Sequence, residues 1–105
     1  MIEESQFNAL ADATLARLET ALEDCGADLD YELGAGGVLE IEFPNRTKII
    51  VNRHTAAREI WVAAKSGGFH YRPEGDRWLG TRDGEELFAA LSRLISEQGG
   101  EAVSL

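Results

Sequence analysis

DLDYELGAGGVLEIEF, residues Asp28 to Phe43, is where the chain changes period, and that change decides the fold. Leu29, Tyr31 and Leu33 alternate with Asp28, Asp30 and Glu32; after Gly34-Ala35-Gly36-Gly37, Leu39, Ile41 and Phe43 alternate with Val38, Glu40 and Glu42. A period of two sends successive side chains to opposite faces of an extended strand, so two such runs around a glycine-rich turn read as paired strands with one face toward a core. Further on, Pro44-Asn45-Arg46 precedes a strand over Thr47 to Asn52, and another spans Glu59 to Lys65. Gly67-Gly68 then turns the chain into Phe69 to Arg72, and Pro73-Glu74-Gly75-Asp76 turns it into a short strand around Arg77 to Gly80. About six strands separated by tight turns predict a single antiparallel sheet.

Outward from the sheet the period changes to that of a helix. Before it, Phe7, Leu10, Ala11, Thr14, Leu15, Leu18, Ala21, Leu22 and Cys25 recur every three or four residues and stop at Gly26, an apolar stripe of about five turns. After it, Asp83 followed by Glu86 resembles a capping box, and Leu87, Phe88, Leu91, Leu94 and Ile95 form a second stripe before Gly99-Gly100. One helix before and one after a meander can cover the same face of the sheet. The expected fold is therefore α+β, a two-layer α/β sandwich with the other sheet face open. At 105 residues, 44% of them hydrophobic, the chain fits one domain over 1–105 with one core.

Charge is unevenly spread. The net charge is -9, and the first 32 residues hold Glu3, Glu4, Asp12, Glu19, Glu23, Asp24, Asp28, Asp30 and Glu32 against Arg17 alone. Glu19 and Glu23 are one helical turn apart with Asp24 beside them, at the end of the helix where its dipole is already negative. Such crowding lowers stability unless something positive binds. Nucleic acid and anionic membrane are disfavoured as partners, since both call for a basic patch. An all-oxygen donor set suits hard or borderline cations such as Fe3+, Fe2+, Mn2+, Mg2+ and Ca2+, with little discrimination among them.

The remaining chemistry-bearing residues point away from catalysis. No Ser or Cys has an evident base partner, and the paired carboxylates sit on a convex helix. Cys25, the one cysteine, rules out an intrachain disulfide and is expected as a small residue of the core or its rim. The start MIEESQF has neither a basic leader nor a spanning apolar run, so a reduced, cytoplasmic protein is expected. In the strand Glu59 to Lys65, if Ile60, Val62 and Ala64 face the helices, Trp61 stands on the open side. An exposed tryptophan there is a binding anchor or a cross-strand packing partner. Trp78 is expected in the core or at its rim, and His70 on the sheet surface.

The run TKIIVNRHTAAREIWVAAKSGGFHY from Thr47 to Tyr71, then GDRW at Gly75 to Trp78 and the DGEELF helix start, resembles the bacterial frataxins. With the acidic first helix and strand, the resemblance covers nearly the whole chain. It implies an α-β-α sandwich, weak multi-site iron binding and a role in iron-sulfur cluster assembly, through the cysteine desulfurase and the scaffold protein of that machinery. It places iron on Glu4, Glu19, Glu23, Asp24, Asp28 and Asp30, and a protein contact on a sheet face carrying Asn52, Arg53 and Trp61. It also implies a monomer without iron. Some relatives carry a histidine where this chain has Asn8, and an acid where it has Thr20. The alternative reading is an acidic adaptor that docks on a basic protein surface and needs no metal.

Overall fold

The computed structural model describes residues 2–105. In chain order its elements are α1 (Glu4–Asp24), β1 (Asp30–Gly34), β2 (Val38–Glu42), β3 (Lys48–His54), β4 (Glu59–Ala64), β5 (Gly67–Glu74), β6 (Arg77–Gly80) and α2 (Leu87–Gly99). The strands form one antiparallel meander, each paired with its sequence neighbour in the order β1 to β6. Both helices lie on one face, as the two flanking stripes require.

Alternation in the strands and helical spacing in the stripes deliver their apolar residues to the same layer. Leu39, Ile41, Phe43, Ile49, Val51, Ile60, Val62, Tyr71 and Trp78 from the sheet side meet Phe7, Ala11, Leu15, Leu18 and Leu22 of α1 and Leu87, Ala90, Leu91, Leu94 and Ile95 of α2. Trp78 is fully buried and packs edge-on against Phe7, with ring centroids 5.8 Å apart. Its indole N–H donates to Thr14 Oγ1 at 2.8 Å, and that hydroxyl donates onward to the Leu10 carbonyl at 2.8 Å. Among the described residues Thr14 is thus the one buried polar residue outside the aromatics, accommodated because its hydroxyl both accepts and donates.

Several boundaries differ from the sequence reading. Gly67 and Gly68 are the first residues of β5, not a turn, because Ala64 pairs with Gly67 around a two-residue loop of Lys65 and Ser66. Pro73 and Glu74 also belong to β5; pairing with β4 ends at Tyr71, so the missing N–H of Pro73 is not needed there. β3 runs on to His54, which pairs with Glu59. The capping residue of α2 is Glu86 and not Asp83: the Glu86 carboxylate accepts from the amides of Phe88 and Ala89 at 2.8 and 3.2 Å. Asp83 instead accepts from the Glu85 amide at 3.0 Å. After Gly100 closes α2 with φ 77°, the chain folds back along it. There the Val103 amide donates to Ser96 Oγ, the Leu105 amide donates to Ser92 Oγ, and both apolar side chains rest on the core.

Candidate functional site

The carboxylates that the sequence singles out divide into three places. Glu19, Glu23 and Asp24 stand in the last turns of α1, a helix with no basic residue in its last turn. Tyr31 of β1 faces them: partial burial of its hydroxyl, then Glu23 as charge and hydrogen-bond partner together with Glu19 and Asp24, hold the phenol above its ordinary pKa. Asp28 lies in the turn after α1, where its backbone amide donates to Glu101 Oε2 at 3.0 Å. That contact adds Glu101, far away in sequence, to the same corner. Glu4 is set apart. It opens α1, so fifteen residues of helix at 1.5 Å each put it roughly 22 Å from Glu19.

Asp30 belongs to another group. Register pairs Asp30 with Glu42 and Glu32 with Glu40, so four carboxylates stand on the open face of β1 and β2. With Tyr31 they line a shallow recess of about 110 Å³. Like charges directly opposite across strands are destabilising. One cation offsets them: Lys48 of β3 reaches Glu40 at 2.5 Å, and this hydrogen bond and charge hold the ammonium pKa above its ordinary value. Glu32, Glu40 and Glu42 escaped the sequence assignment. Period-two alternation in both strands was the signal, but pairing register was needed to set them opposite one another. Among the described residues no group of three or more His, Cys, Asp or Glu side chains converges as a ready metal cage.

On the open face Trp61 is half-buried, not freely exposed. Its indole is stacked between two imidazoles, His54 at a centroid distance of 3.8 Å and 13° and His70 at 4.4 Å and 9°. Its Nε1 donates to Glu59 Oε1 at 2.7 Å, and the same oxygen lies 3.6 Å from His70 Nδ1. His54 Nδ1 is buried with no hydrogen-bond partner among the described residues. What the face offers is therefore the edge of the tryptophan and the outer face of His70, flanked by Asn52 directly across β3. His54 and Glu59 are contributors that sequence alone did not identify: His54 meets Trp61 only through the β3–β4 register, whereas parity already sets Glu59 on the face of Trp61 two residues on.

Arg53 requires a correction. Asn52 and Arg53 are adjacent in a strand and cannot share a face. Asn52 points to the open side, while Arg53 follows the parity of buried Ile49 and Val51 and ion-pairs with Asp12 of α1. Its guanidinium passes over Gly37, where an added Cβ would come within 3.0 Å of Arg53 Nε. Arg53 therefore clamps helix to sheet. Asn8 and Thr20 also spend their polar groups locally: Asn8 accepts from Thr55 Oγ1 at 3.3 Å, and Thr20 donates to the Ala16 carbonyl at 3.2 Å.

Comparison with known proteins gives a consistent result. A family model described as a frataxin-like domain matches residues 1–101. The chain is 61% identical over 104 residues to the iron-sulfur cluster assembly protein CyaY of Dechloromonas aromatica (strain RCB), covering 99% of both chains. It is 54% identical over 106 residues to the protein of the same name from Herminiimonas arsenicoxydans, covering 97% of this chain and 95% of that one. Among solved structures, a frataxin from Psychromonas ingrahamii superposes with a TM-score of 0.91 at 35% identity, covering 98% of this chain and 97% of the other. A trimeric frataxin from the yeast Saccharomyces cerevisiae, complexed with ferrous, shares the fold at a TM-score of 0.67 and 24% identity, covering 96% of this chain and 89% of that one.

Proposed function

The chain belongs to the frataxin-like family, and from that premise we propose that it is an iron-binding regulator and iron donor in iron-sulfur cluster assembly. The observation that carries the reading is the concentration of mutually repelling carboxylates at one end of the molecule: Glu19, Glu23 and Asp24 on α1, Asp28 beside Glu101, and Asp30 facing Glu42 across β1 and β2. The name carried by its relatives, iron-sulfur cluster assembly protein, supports it.

The donor set fits iron as cargo. Carboxylate oxygens take Fe2+ and Fe3+ as well as other divalent cations, and with no cage of fixed geometry they hold them weakly and at several sites. Weak binding suits a protein that must give its metal up. Glu4 contributes a separate site at the far end of α1. In this mechanism the acidic end docks on a basic surface of the cysteine desulfurase and its scaffold complex, and bound iron alters the charge presented there and hence the rate of that complex. Asn52 and Trp61 contact a protein of that complex through the open sheet face, with Arg53 holding β3 in place behind them. The protein is itself non-catalytic, a monomer without iron, and works in the cytoplasm. Among the described residues no helix is long and apolar enough to cross a membrane.

A second reading rests on charge alone: Glu19, Glu23 and Asp24 stand on a helix with no basic residue in its last turn, and a basic protein surface would meet that charge as a metal-independent acidic adaptor requires. An anaerobic two-dimensional amide NMR titration with Fe2+, followed by the desulfurase, separates the two. Broadening strongest around Glu19 to Asp30, then shifts there and at Trp61 when the desulfurase is added, is the expected result. Shifts with the desulfurase and no response to iron would leave the adaptor.

A further inference from the structure

Of the ten basic residues in the chain, only Arg53 and Arg58 are not exposed. Arg53 has Asp12. Arg58, among the described residues, has no carboxylate within ion-pair distance. Its guanidinium is held instead by two backbone carbonyls, Thr55 through Nη1 and Ile2 through Nε at 3.3 Å. A guanidinium has five N–H donors, so most of its capacity is left over. A partly desolvated cation without a counter-charge is costly, and the backbone adds to that cost. Arg58 adopts φ 56°, a left-handed conformation that a long side chain enters only under constraint. Glycine would close the same β3–β4 turn without strain. Something other than the turn explains why an arginine stands there.

Arg58 lines a surface recess of about 280 Å³ together with Ile2, Ala57, Glu59, Arg72 and Pro73. Arg72 supplies a second guanidinium, whose one acidic neighbour, Glu74, is 3.8 Å away. Glu59 is the only acid in the lining, and its Oε1 already accepts from Trp61 and faces His70. The remaining wall is apolar. Sites for drug-sized ligands begin at roughly 300 Å³, so the occupant is smaller than that.

We propose that this recess is a binding site for a small organic acid, its carboxylate taken by Arg58 and Arg72 and its hydrocarbon part by Ile2, Ala57 and Pro73. Guanidinium groups suit a planar carboxylate, and the apolar wall favours a carbon-bearing acid over a bare inorganic anion. The site is independent of the iron reading. It lies beside the start of α1, whereas Glu19, Glu23 and Asp24 are at the other end.

The test is a two-dimensional amide NMR titration of the full chain with pentanoate, acetate, inorganic phosphate and chloride at one ionic strength. Saturable shifts at Ile2, Ala57, Arg58 and Arg72 with pentanoate are expected, with weaker affinity for acetate and phosphate. Arg72→Gln, at an exposed position, should keep a dispersed spectrum and weaken pentanoate about tenfold, the worth of one charge-assisted contact. Arg58→Gln should weaken it at least as much, and if that variant fails to fold, Arg72→Gln decides. Shifts no different from those with chloride, tighter binding of phosphate than of pentanoate, or undiminished binding in a folded Arg72→Gln would each overturn the proposal.

Discussion

Neutralising Glu19→Gln, Glu23→Gln and Asp24→Asn together should make the metal-free protein more stable and blunt its response to metal. The first part follows from the geometry of α1. Glu19 and Glu23 are like charges one turn apart, which costs about 0.2–0.5 kcal/mol. Glu23 and Asp24 stand at a C-terminus with no base in its last turn, and each opposes the helix dipole by about 0.3–1 kcal/mol at low ionic strength. The total is about 1–2 kcal/mol, and in a domain of this size each kcal/mol moves Tm by about 4–8 °C. A rise of about 5 °C or more is therefore expected in metal-free, low-salt buffer. It should shrink in 1 M salt, where the screening length falls to about 3 Å. The second part is linkage. At a free metal concentration about ten times Kd of the α1 site the parent protein gains about 1.4 kcal/mol there, which the variant lacks, so metal should bring the two close together. Calorimetric melts of both proteins, with and without Mg2+ or anaerobic Fe2+, make the comparison. A variant no more stable than the parent without metal, or one that metal stabilises equally, would refute the reasoning.

Three further outcomes test the framework around that site. Thr14→Val keeps the shape of the side chain but leaves the buried Trp78 N–H without its acceptor, so urea unfolding should show a loss of about 1–3 kcal/mol, with Thr14→Ser much milder. Gly99→Ala should destabilise despite alanine's better helix propensity, because the added Cβ would come within 2.9 Å of the buried Phe43 ring; a Tm unchanged or raised would contradict that packing. Tyr71, 2% exposed, has its phenol pushed up from 10.0 to about 12 by burial, then by the nearby Glu85 and Asp83. The folded state therefore holds the proton more tightly than the unfolded one, and the resulting stability is present below pH 10 and lost as the pH climbs toward 12. At about 1.4 kcal/mol per unit, unfolding free energy should fall by up to about 2–3 kcal/mol across that window in the parent, and less in Tyr71→Phe.

Periodicity carried the fold because each element buries one face. The stripe from Phe7 to Leu22 and the alternation from Leu29 to Phe43 are local signals of a global layer, and they agree. What local pattern could not reach was contact between distant segments. His54, Trp61 and His70 stack only because β3, β4 and β5 pair in one register, and Glu101 meets Asp28 only after the chain has folded back along α2. Arg53 is different, since parity within the strand already separates it from Asn52. The start of α2 was misplaced because Asp83 and Glu86 are both competent caps, and tertiary structure chose the one at the end of the Gly80–Glu86 turn, where Leu79 bridges Glu86.

The acids of this surface do not all need the same explanation. β1 is an edge strand, and an exposed edge invites pairing with another chain unless charge discourages it. Asp30 and Glu32 stand on that edge, so part of their value is protective, and they would be expected there even in a protein that bound no metal. Glu19, Glu23 and Asp24 have no such use. They lie on a helix that already satisfies its backbone, at the end where negative charge is least favourable, and the group of β1 that faces them is the neutral phenol of Tyr31. A surface selected only for solubility could spread those charges elsewhere at lower cost. The acids of α1, more than those of the strands, are what a cation-binding or docking role has to account for.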